Sequence, residues 1–327
     1  MLENLIGLRP ETVTLAGAVF AFLCTFVCIV LFRDKLPRDQ GRAFAVEGNK
    51  SVGKCRGAGL IFVLVFFICD LTFNTYSKER LLYDLIIVLC MFTGFFDDAS
   101  SKPWNEYLKG ALDLLLGIGV AITFLHYNPN VITLSLLGGR EIVIPPVLFG
   151  IGIVVLVWVA INATNCTDGV DGLSATLTSI TLISFAFAGS AYMQTEYLHS
   201  GKSILFFILT LLAYLWFNAN PSTVLMGDAG SRAMGMMIAI MALMSGDPLL
   251  YIPFSLMMIL DGFIGLIKVS LKRFLHISIF RNTRFPLHDH FRHVKKWDKN
   301  QVVFRFVIVQ IMISLVVLLY RGSIPVK

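Results

Sequence analysis

Charge is scarce in this chain. Asp, Glu, Lys and Arg make up 15% of its 327 residues, against 56% hydrophobic, and the mean hydropathy of +0.76 excludes an ordinary soluble globular protein. The short alternating segments of a membrane β-barrel are also missing. The apolar runs are instead continuous and about 20 residues long, enough for a helix to cross roughly 30 Å of hydrocarbon. Cysteines are few. Of Cys24, Cys28, Cys55, Cys69, Cys90 and Cys166, four lie inside apolar windows and none forms a Cys-x-x-Cys pair, so they read as small packing residues rather than as metal ligands or disulfides. No linker and no internal repeat divides the chain, and residues 1–327 read as a single integral membrane domain. The first window has no basic leader, and Arg33 and Lys35 follow it in place of a small-residue cleavage site; it reads as a retained helix.

What is present is a series of ten apolar windows, at about 12–32, 57–74, 81–96, 108–126, 146–162, 173–193, 203–217, 231–245, 249–271 and 301–320. They predict an all-α polytopic membrane protein of about ten transmembrane helices. Basic residues orient it. Seven of the 27 Lys and Arg (Arg33, Lys35, Arg38, Arg42, Lys50, Lys54, Arg56) follow the first window. Nine more (Lys268, Lys272, Arg273, Arg281, Arg284, Arg292, Lys295, Lys296, Lys299) precede the last. Both loops are therefore expected in the cytoplasm and both termini outside. Between the fourth and fifth windows, two β-prone runs, Val131 to Leu137 and Glu141 to Ile144, flank Gly138-Gly139 and suggest a small hairpin on the outer surface.

Four polar motifs follow the third, fifth, seventh and ninth windows, all of which end on the same side. Parity thus gathers them on the cytoplasmic face, although only Lys and Arg set the orientation. Carboxylates close to hydrocarbon are costly, so they are kept where function needs them. Asp97-Asp98 ends a helix, where acids oppose the macrodipole; the pair suits a shared divalent cation or proton acceptance from a nucleophile, and a solvated helix end is the bland alternative. Lys102 and Lys109 follow, and either bind phosphate or mark the cytoplasmic side. In Asn162–Gly172, Asn162, Asn165, Asp168 and Asp171 recur every three residues. Were the turn helical, Asn165 and Asp168 would share a face, while Gly169 and Gly172 would let a ligand approach the main chain. Asp228, in Met226–Ser231, is either a helix cap or a metal ligand. Asn218 and Asn220 either bind a ligand or end the seventh helix. His288 and His290 could ligate a metal, but the cations around them better suit an anionic substrate; a basic loop on anionic headgroups is the alternative.

These residues give the chain a resemblance. It resembles the polyprenyl-phosphate N-acetylhexosamine-1-phosphate transferases, most closely their muramoyl-pentapeptide branch. The likeness rests on Asp97-Asp98, Asn162-Ala-x-Asn165-x-Thr-Asp168-Gly-x-Asp171-Gly-Leu173, Trp216-Phe-Asn218-Ala-x-Pro, Met226-Gly-Asp228-x-Gly-Ser231 and Pro286-Leu-His288-x-His290-Phe291. The motifs stand in the family's order and cover nearly the whole chain. The resemblance implies Mg2+-dependent transfer of phospho-N-acetylmuramoyl-pentapeptide from the UDP-linked donor to undecaprenyl phosphate, giving lipid I and UMP in peptidoglycan synthesis. It implies the bacterial inner membrane, a cytoplasmic active site, a homodimer and no nucleic-acid partner. Asp228 then resembles the Mg2+ ligand, and Asp97 and Asp98 the pair that activates the lipid phosphate. Asn165 and Asp168 would hold the diphosphate, Gly169 and Asp171 the nucleoside, and Lys109 the nucleotide. His288, with His290, would face the phosphates or sugar, and Asn218 would join the substrate-binding set.

The chain departs from the family at three places. Asn49-Lys-Ser-Val-Gly-Lys-Cys-Arg-Gly-Ala-Gly59 replaces the usual Lys-x-Gly-Thr-Pro-Thr-Met-Gly-Gly segment, which leaves open the first-loop lysine that matches the family's. Asp289 is the middle residue of the three-histidine motif, and Leu225 stands where relatives often have an aromatic near the uracil. A GlcNAc-1-phosphate transferase of the same superfamily is the alternative enzyme. A lipid flippase or secondary transporter is the alternative of another class; acidic groups at helix ends and the lack of a repeat count against it.

Overall fold

The computed structural model describes residues 9–39, 41, 51–100, 102, 104–189 and 195–323, with side chains left aside at 195–200. The expected placement of the two termini and Asn49-Lys50 of the first loop fall outside the described residues. The chain is mostly helical. Helices α1 (Pro10–Phe32), α2 (Gly59–Phe73), α3 (Lys78–Ala99) and α4 (Glu106–Tyr127) precede a hairpin of β1 (Val131–Leu134) and β2 (Arg140–Val143). Helices α5 (Pro146–Thr167), α6 (Leu173–Gly189), α7 (Thr195–Asn218) and α8 (Gly227–Met244) come next. A bent pair follows, α9 (Pro248–Phe254) and α10 (Leu256–Phe274), at 69° to each other. A short α11 (Leu287–Val294) and α12 (Lys299–Ser323) end the described chain. Among the described residues, each apolar window lies largely on helix. Five helices are long and apolar enough to cross a membrane, six if the bent pair is one span; α2 and α6 are apolar but shorter.

The centre of the bundle is α8, every residue of which is buried. It is surrounded by α2, α3, α5 and α6. Close approach here depends on glycine. A Cβ on Gly59 would stand 2.0 Å from the Gly230 nitrogen, and one on Gly94 would stand 2.3 Å from the Asp228 carbonyl oxygen. Small residues let helix backbones touch where lipid offers no hydrophobic drive to associate. These two contacts press α2 and α3 against the first turn of α8, the turn that carries Asp228. The outer helices show apolar side chains outward, such as Leu15, Val19 and Leu23 on α1 and Met312, Leu315 and Leu319 on α12, as an integral membrane protein requires.

The window at 249–271 predicts one span, and the structure breaks it. Pro253 lacks an N–H and cannot continue a helix unperturbed. The backbone groups freed at the break are satisfied by side chains, the condition for a broken helix away from water. Gln310 of α12 accepts from the Met257 N–H at 2.9 Å and donates to the Pro253 carbonyl at 3.0 Å, and Thr181 donates to the Phe254 carbonyl at 2.6 Å. Beyond the break, a π turn over Ile259–Phe263 carries Asp261, which is fully buried.

The expected hairpin is present and antiparallel, pairing Val131 with Val143 and Leu134 with Arg140. The first basic loop is tied to the segment entering α8. Leu225 N–H donates to the Cys55 carbonyl at 2.7 Å, Ala58 N–H to Leu225 at 3.1 Å, and Gly59 N–H to Met226 at 3.0 Å. Those bonds place Arg56 over the start of α8.

Candidate active site

The motif-bearing ends of α3, α5 and α8 meet the start of α4 and the first loop. Asp97 and Asp98 occupy the last turn of α3. The Asp98 side chain is buried; it accepts from Arg56 Nε at 2.7 Å and from the Ala229 N–H at 3.1 Å. Asp97 accepts from the Trp104 N–H at 2.7 Å and pairs with Lys109 Nζ at 2.5 Å. Lys109 lies in the first turn of α4, which Asn105 caps by accepting from the Leu108 N–H at 2.7 Å. Asp228, in the first turn of α8, takes Arg56 Nη2 on one oxygen and Lys109 Nζ on the other, each at 3.2 Å. Arg56 Nη1 reaches Asp39 at 2.9 Å.

One guanidinium thus holds three carboxylates, and one ammonium holds two. Burial alone would make Arg56 easier to deprotonate, but Asp98 and Asp228, with Asp39, outweigh it and hold its pKa above the ordinary arginine value. Burial would likewise raise Asp39; hydrogen bonds from Ser51 and Arg56 prevail and hold it below the usual carboxylate range. Neither Arg56 nor Asp39 is picked out by the sequence reading, which takes Arg56 only as a topology-setting cation. The available signal is an arginine between Cys55 and a glycine at the entry to α2.

The second motif is not helical throughout. Helix α5 stops at Thr167, and Asp168 to Gly172 form a turn, with the Asp168 N–H on the Asn165 carbonyl at 3.2 Å and the Gly169 N–H on Thr167 at 2.8 Å. Asn165 donates to Ser231 at 3.2 Å, joining this motif to the helix of Asp228. Asp171 accepts from Lys299 Nζ at 2.7 Å. Burial would raise its pKa, but the hydrogen bond and charge of Lys299 prevail, with Ser222 assisting, and hold it below the usual carboxylate value. Asn218 is buried, with its amide used on backbone: it accepts from the Gly172 N–H at 2.8 Å and donates to the Val224 carbonyl at 2.9 Å. It fixes the turn against the loop that leads to α8.

His288 packs on this turn. A Cβ on Gly169 would stand 2.3 Å from His288 Nε2, so only glycine admits the ring. On its other side, Asp261 takes the His288 N–H at 2.6 Å and Nδ1 at 2.8 Å. Asp261 orients the imidazole and turns Nε2 toward Gly169. His290 instead accepts from the Arg284 N–H at 3.3 Å and steadies its own loop. Burial disfavours the His288 cation; the charge and hydrogen bond of Asp261 outweigh burial, Asp289 adds to them, Arg292 opposes, and the net shift is upward. The sequence marks Asp261 in one way: it is a lone acid inside an apolar window.

The sign of that shift sets a pH dependence. A histidine with a raised folded pKa stabilises the fold fully below its unfolded value, about 6.5, and loses that contribution as pH rises through the folded value. Asp261→Asn removes the carboxylate responsible. The wild type is expected to lose more melting temperature than Asp261→Asn as pH rises from about 6.5 through the raised value. Equal slopes for the two proteins would detach Asp261 from the His288 charge.

Comparison with known proteins places the chain among relatives. The glycosyl transferase family 4 model matches residues 81–246, a stretch holding Asp97, Asp98, Lys109, Asn165, Asp168, Asp171, Asn218 and Asp228. A phospho-N-acetylmuramoyl-pentapeptide-transferase of Treponema pallidum (strain Nichols) is 40% identical over 324 residues, covering 94% of this chain and 89% of its own. The protein of that name from Fervidobacterium nodosum is 31% identical, covering 78% and 79%. That from Dictyoglomus thermophilum is 26% identical, covering 92% and 96%.

Proposed function

The chain belongs to glycosyl transferase family 4, among its phospho-N-acetylmuramoyl-pentapeptide-transferases, and on that premise we propose the reaction at this site in detail. Undecaprenyl phosphate attacks the sugar-bearing phosphate of UDP-N-acetylmuramoyl-pentapeptide. A new phosphate–phosphate bond forms, the bond to UMP breaks, and lipid I and UMP leave. The observation that supports this most is the pairing of Arg56 and Lys109 with Asp97, Asp98 and Asp228. Two anionic phosphates must approach each other, so the site must offset their charge and hold them in line. Arg56 and Lys109 supply positive charge. Asp97 and Asp98 orient the acceptor phosphate and take its proton. Asn165 and Asp168 hold the diphosphate, Gly169 and Asp171 the nucleoside, and His288, packed on that turn, the phosphates.

The resemblance adds Mg2+. Among the described residues no three His, Cys, Asp or Glu side chains converge closely enough to enclose an ion unaided. Asp98 and Asp228 nevertheless share Arg56, one on Nε and the other on Nη2. One or two carboxylates completed by substrate phosphate and water are the usual Mg2+ donor set in phosphate-transfer sites, so these residues fit the ion. Asp228, with Asp98 beside it, would hold it. Bound there, Mg2+ offsets negative charge on the diphosphate.

The deciding assay offers the purified protein undecaprenyl phosphate and each UDP-sugar in turn, and measures UMP. Release with the muramoyl-pentapeptide donor is expected. Release with UDP-GlcNAc instead would reassign the donor.

We further propose ten spans, the motifs on the cytoplasmic face of the bacterial inner membrane, both termini outside, and a homodimer. Support for the topology comes from the basic loops and the parity of the helices. Cysteines introduced at Ser100 and Thr223 in a cysteine-free background should escape an impermeant thiol reagent applied outside intact cells. Labelling of either from outside would sink the topology.

A further inference from the structure

One helical turn below the carboxylate cluster lies an ion pair that the reaction above does not use. Arg232 follows Asp228 by a turn of α8 and is 4% exposed. Its Nη2 donates to Asp113 Oδ1 at 2.5 Å and to Thr93 Oγ1 at 3.2 Å. Asp113, 3% exposed, follows Lys109 by a turn of α4. Helices α4 and α8 are therefore joined by two rungs a turn apart, Lys109–Asp228 and Asp113–Arg232, with the charges reversed between them. The backbone of α4 packs on α3 and α5, and it reaches α8 through these long side chains. Thr93 brings in α3, one turn before Asp97. Arg232 thus ties together the helices that deliver Asp97, Asp98, Lys109 and Asp228.

Stability alone is a weak reason to bury such a pair. The desolvation cost of two charges can exceed their attraction, and apolar residues of similar volume are often as stable. What this contact adds is geometry, because one nitrogen of a planar guanidinium on α8 meets Asp113 of α4 and Thr93 of α3 together. A slip of α4 along α8 by one residue rise, about 1.5 Å, would break both rungs and carry Lys109 away from Asp97 and Asp228.

We propose that Arg232, acting with Asp113, is a positioning residue of this transferase: it holds α4 in register with α3 and α8 so that Lys109 stays against Asp97 and Asp228. The proposal deepens the reaction above and rests on it for its kinetic test.

The test compares the wild type with the double variant Arg232→Met/Asp113→Leu and with Arg232→Lys. Melting temperature, calorimetric donor affinity and kcat are measured for each. The double variant is expected to melt near the wild type and bind donor within about twofold, while kcat falls about ten- to a hundredfold. Arg232→Lys keeps the charge but places its nitrogen one bond short of the Nη2 that meets both Asp113 and Thr93, and its kcat is expected to fall between. A folded double variant with wild-type kcat would reduce the pair to packing and overturn the proposal. Should the double variant not fold, Arg232→Lys decides: an intermediate kcat at unchanged donor affinity supports the role, and wild-type kcat overturns it. A readout independent of turnover uses spin labels at Tyr107→Cys and Thr223→Cys, both exposed positions, in a cysteine-free background. Their distance distribution should broaden in either variant, and an unchanged distribution would overturn the register role. Wild-type protein inert toward every donor would refute the reaction alone and leave the spin-label result to judge the positioning.

Discussion

Asp228→Asn is expected to lower turnover by about 10²–10³-fold, the scale of losing one charge-stabilising group from a preorganised site, while leaving the protein folded. Both carboxylate oxygens of Asp228 face cations, Arg56 on one and Lys109 on the other. The amide keeps the shape and removes the charge on which Mg2+ binding is proposed to depend. Folding should survive because each cation keeps another partner: Arg56 retains Asp39 and Asp98, and Lys109 retains Asp97. Turnover, Mg2+ titration and melting temperature together make the measurement. A variant that turned over normally at low Mg2+ would leave Asp228 as a helix-start residue with no part in the reaction.

Asp97→Asn and Asp98→Asn should be the next most damaging, each with kcat at least about a hundredfold lower, the lower end of what losing a general base costs. Donor affinity should stay near normal. Both carboxylates end α3 and meet Arg56 and Lys109, whereas the turn at Asp168 to Gly172 is the part assigned to the nucleotide. A group that acts on the acceptor phosphate contributes mainly in the transition state, so its loss appears in kcat rather than in donor KM. Asp171→Asn should do the reverse. It breaks the 2.7 Å contact with Lys299 and loosens the nucleotide side first. Calorimetric titration of each variant with the donor, beside turnover, separates the two patterns. Lost donor binding with high residual kcat in Asp97→Asn or Asp98→Asn would move that pair to the nucleotide site.

Much of this site is legible one residue at a time. Asp97, Asp98, Asn165, Asp168, Asp171, Asp228 and His288 each stand out as a polar group that a membrane chain keeps at a cost. Parity of the windows predicts their common side, and Asn165–Ser231 and Gly169–His288 are contacts between separate motifs. Asn218 stands out equally and proves to be bonded to the backbone of two loops. The three-residue spacing from Asn162 to Asp171 suggests helical stacking, yet the helix ends at Thr167. Gly169 and Gly172 were the sign that a turn, rather than another helical rung, follows.

The sequence by itself determined what depends on neighbours along the chain: apolar windows long enough to be helices, the hairpin around Gly138-Gly139, the loops that carry cations, and the kinds of side chain present for phosphate chemistry. These follow from hydropathy, backbone propensity and charge, which are local properties. Tertiary structure decided that Arg56 of the first loop enters the site, because it meets Asp98 from 42 residues away and Asp228 from 172. It also decided that Gln310 caps a break 53 residues upstream and that Asp261 lies behind His288, 27 residues on. Periodicity cannot encode such meetings. They arise when α8 draws α2 and α3 onto its first turn through contacts too close for any residue larger than glycine, which brings the charges at the adjoining ends within ion-pair distance.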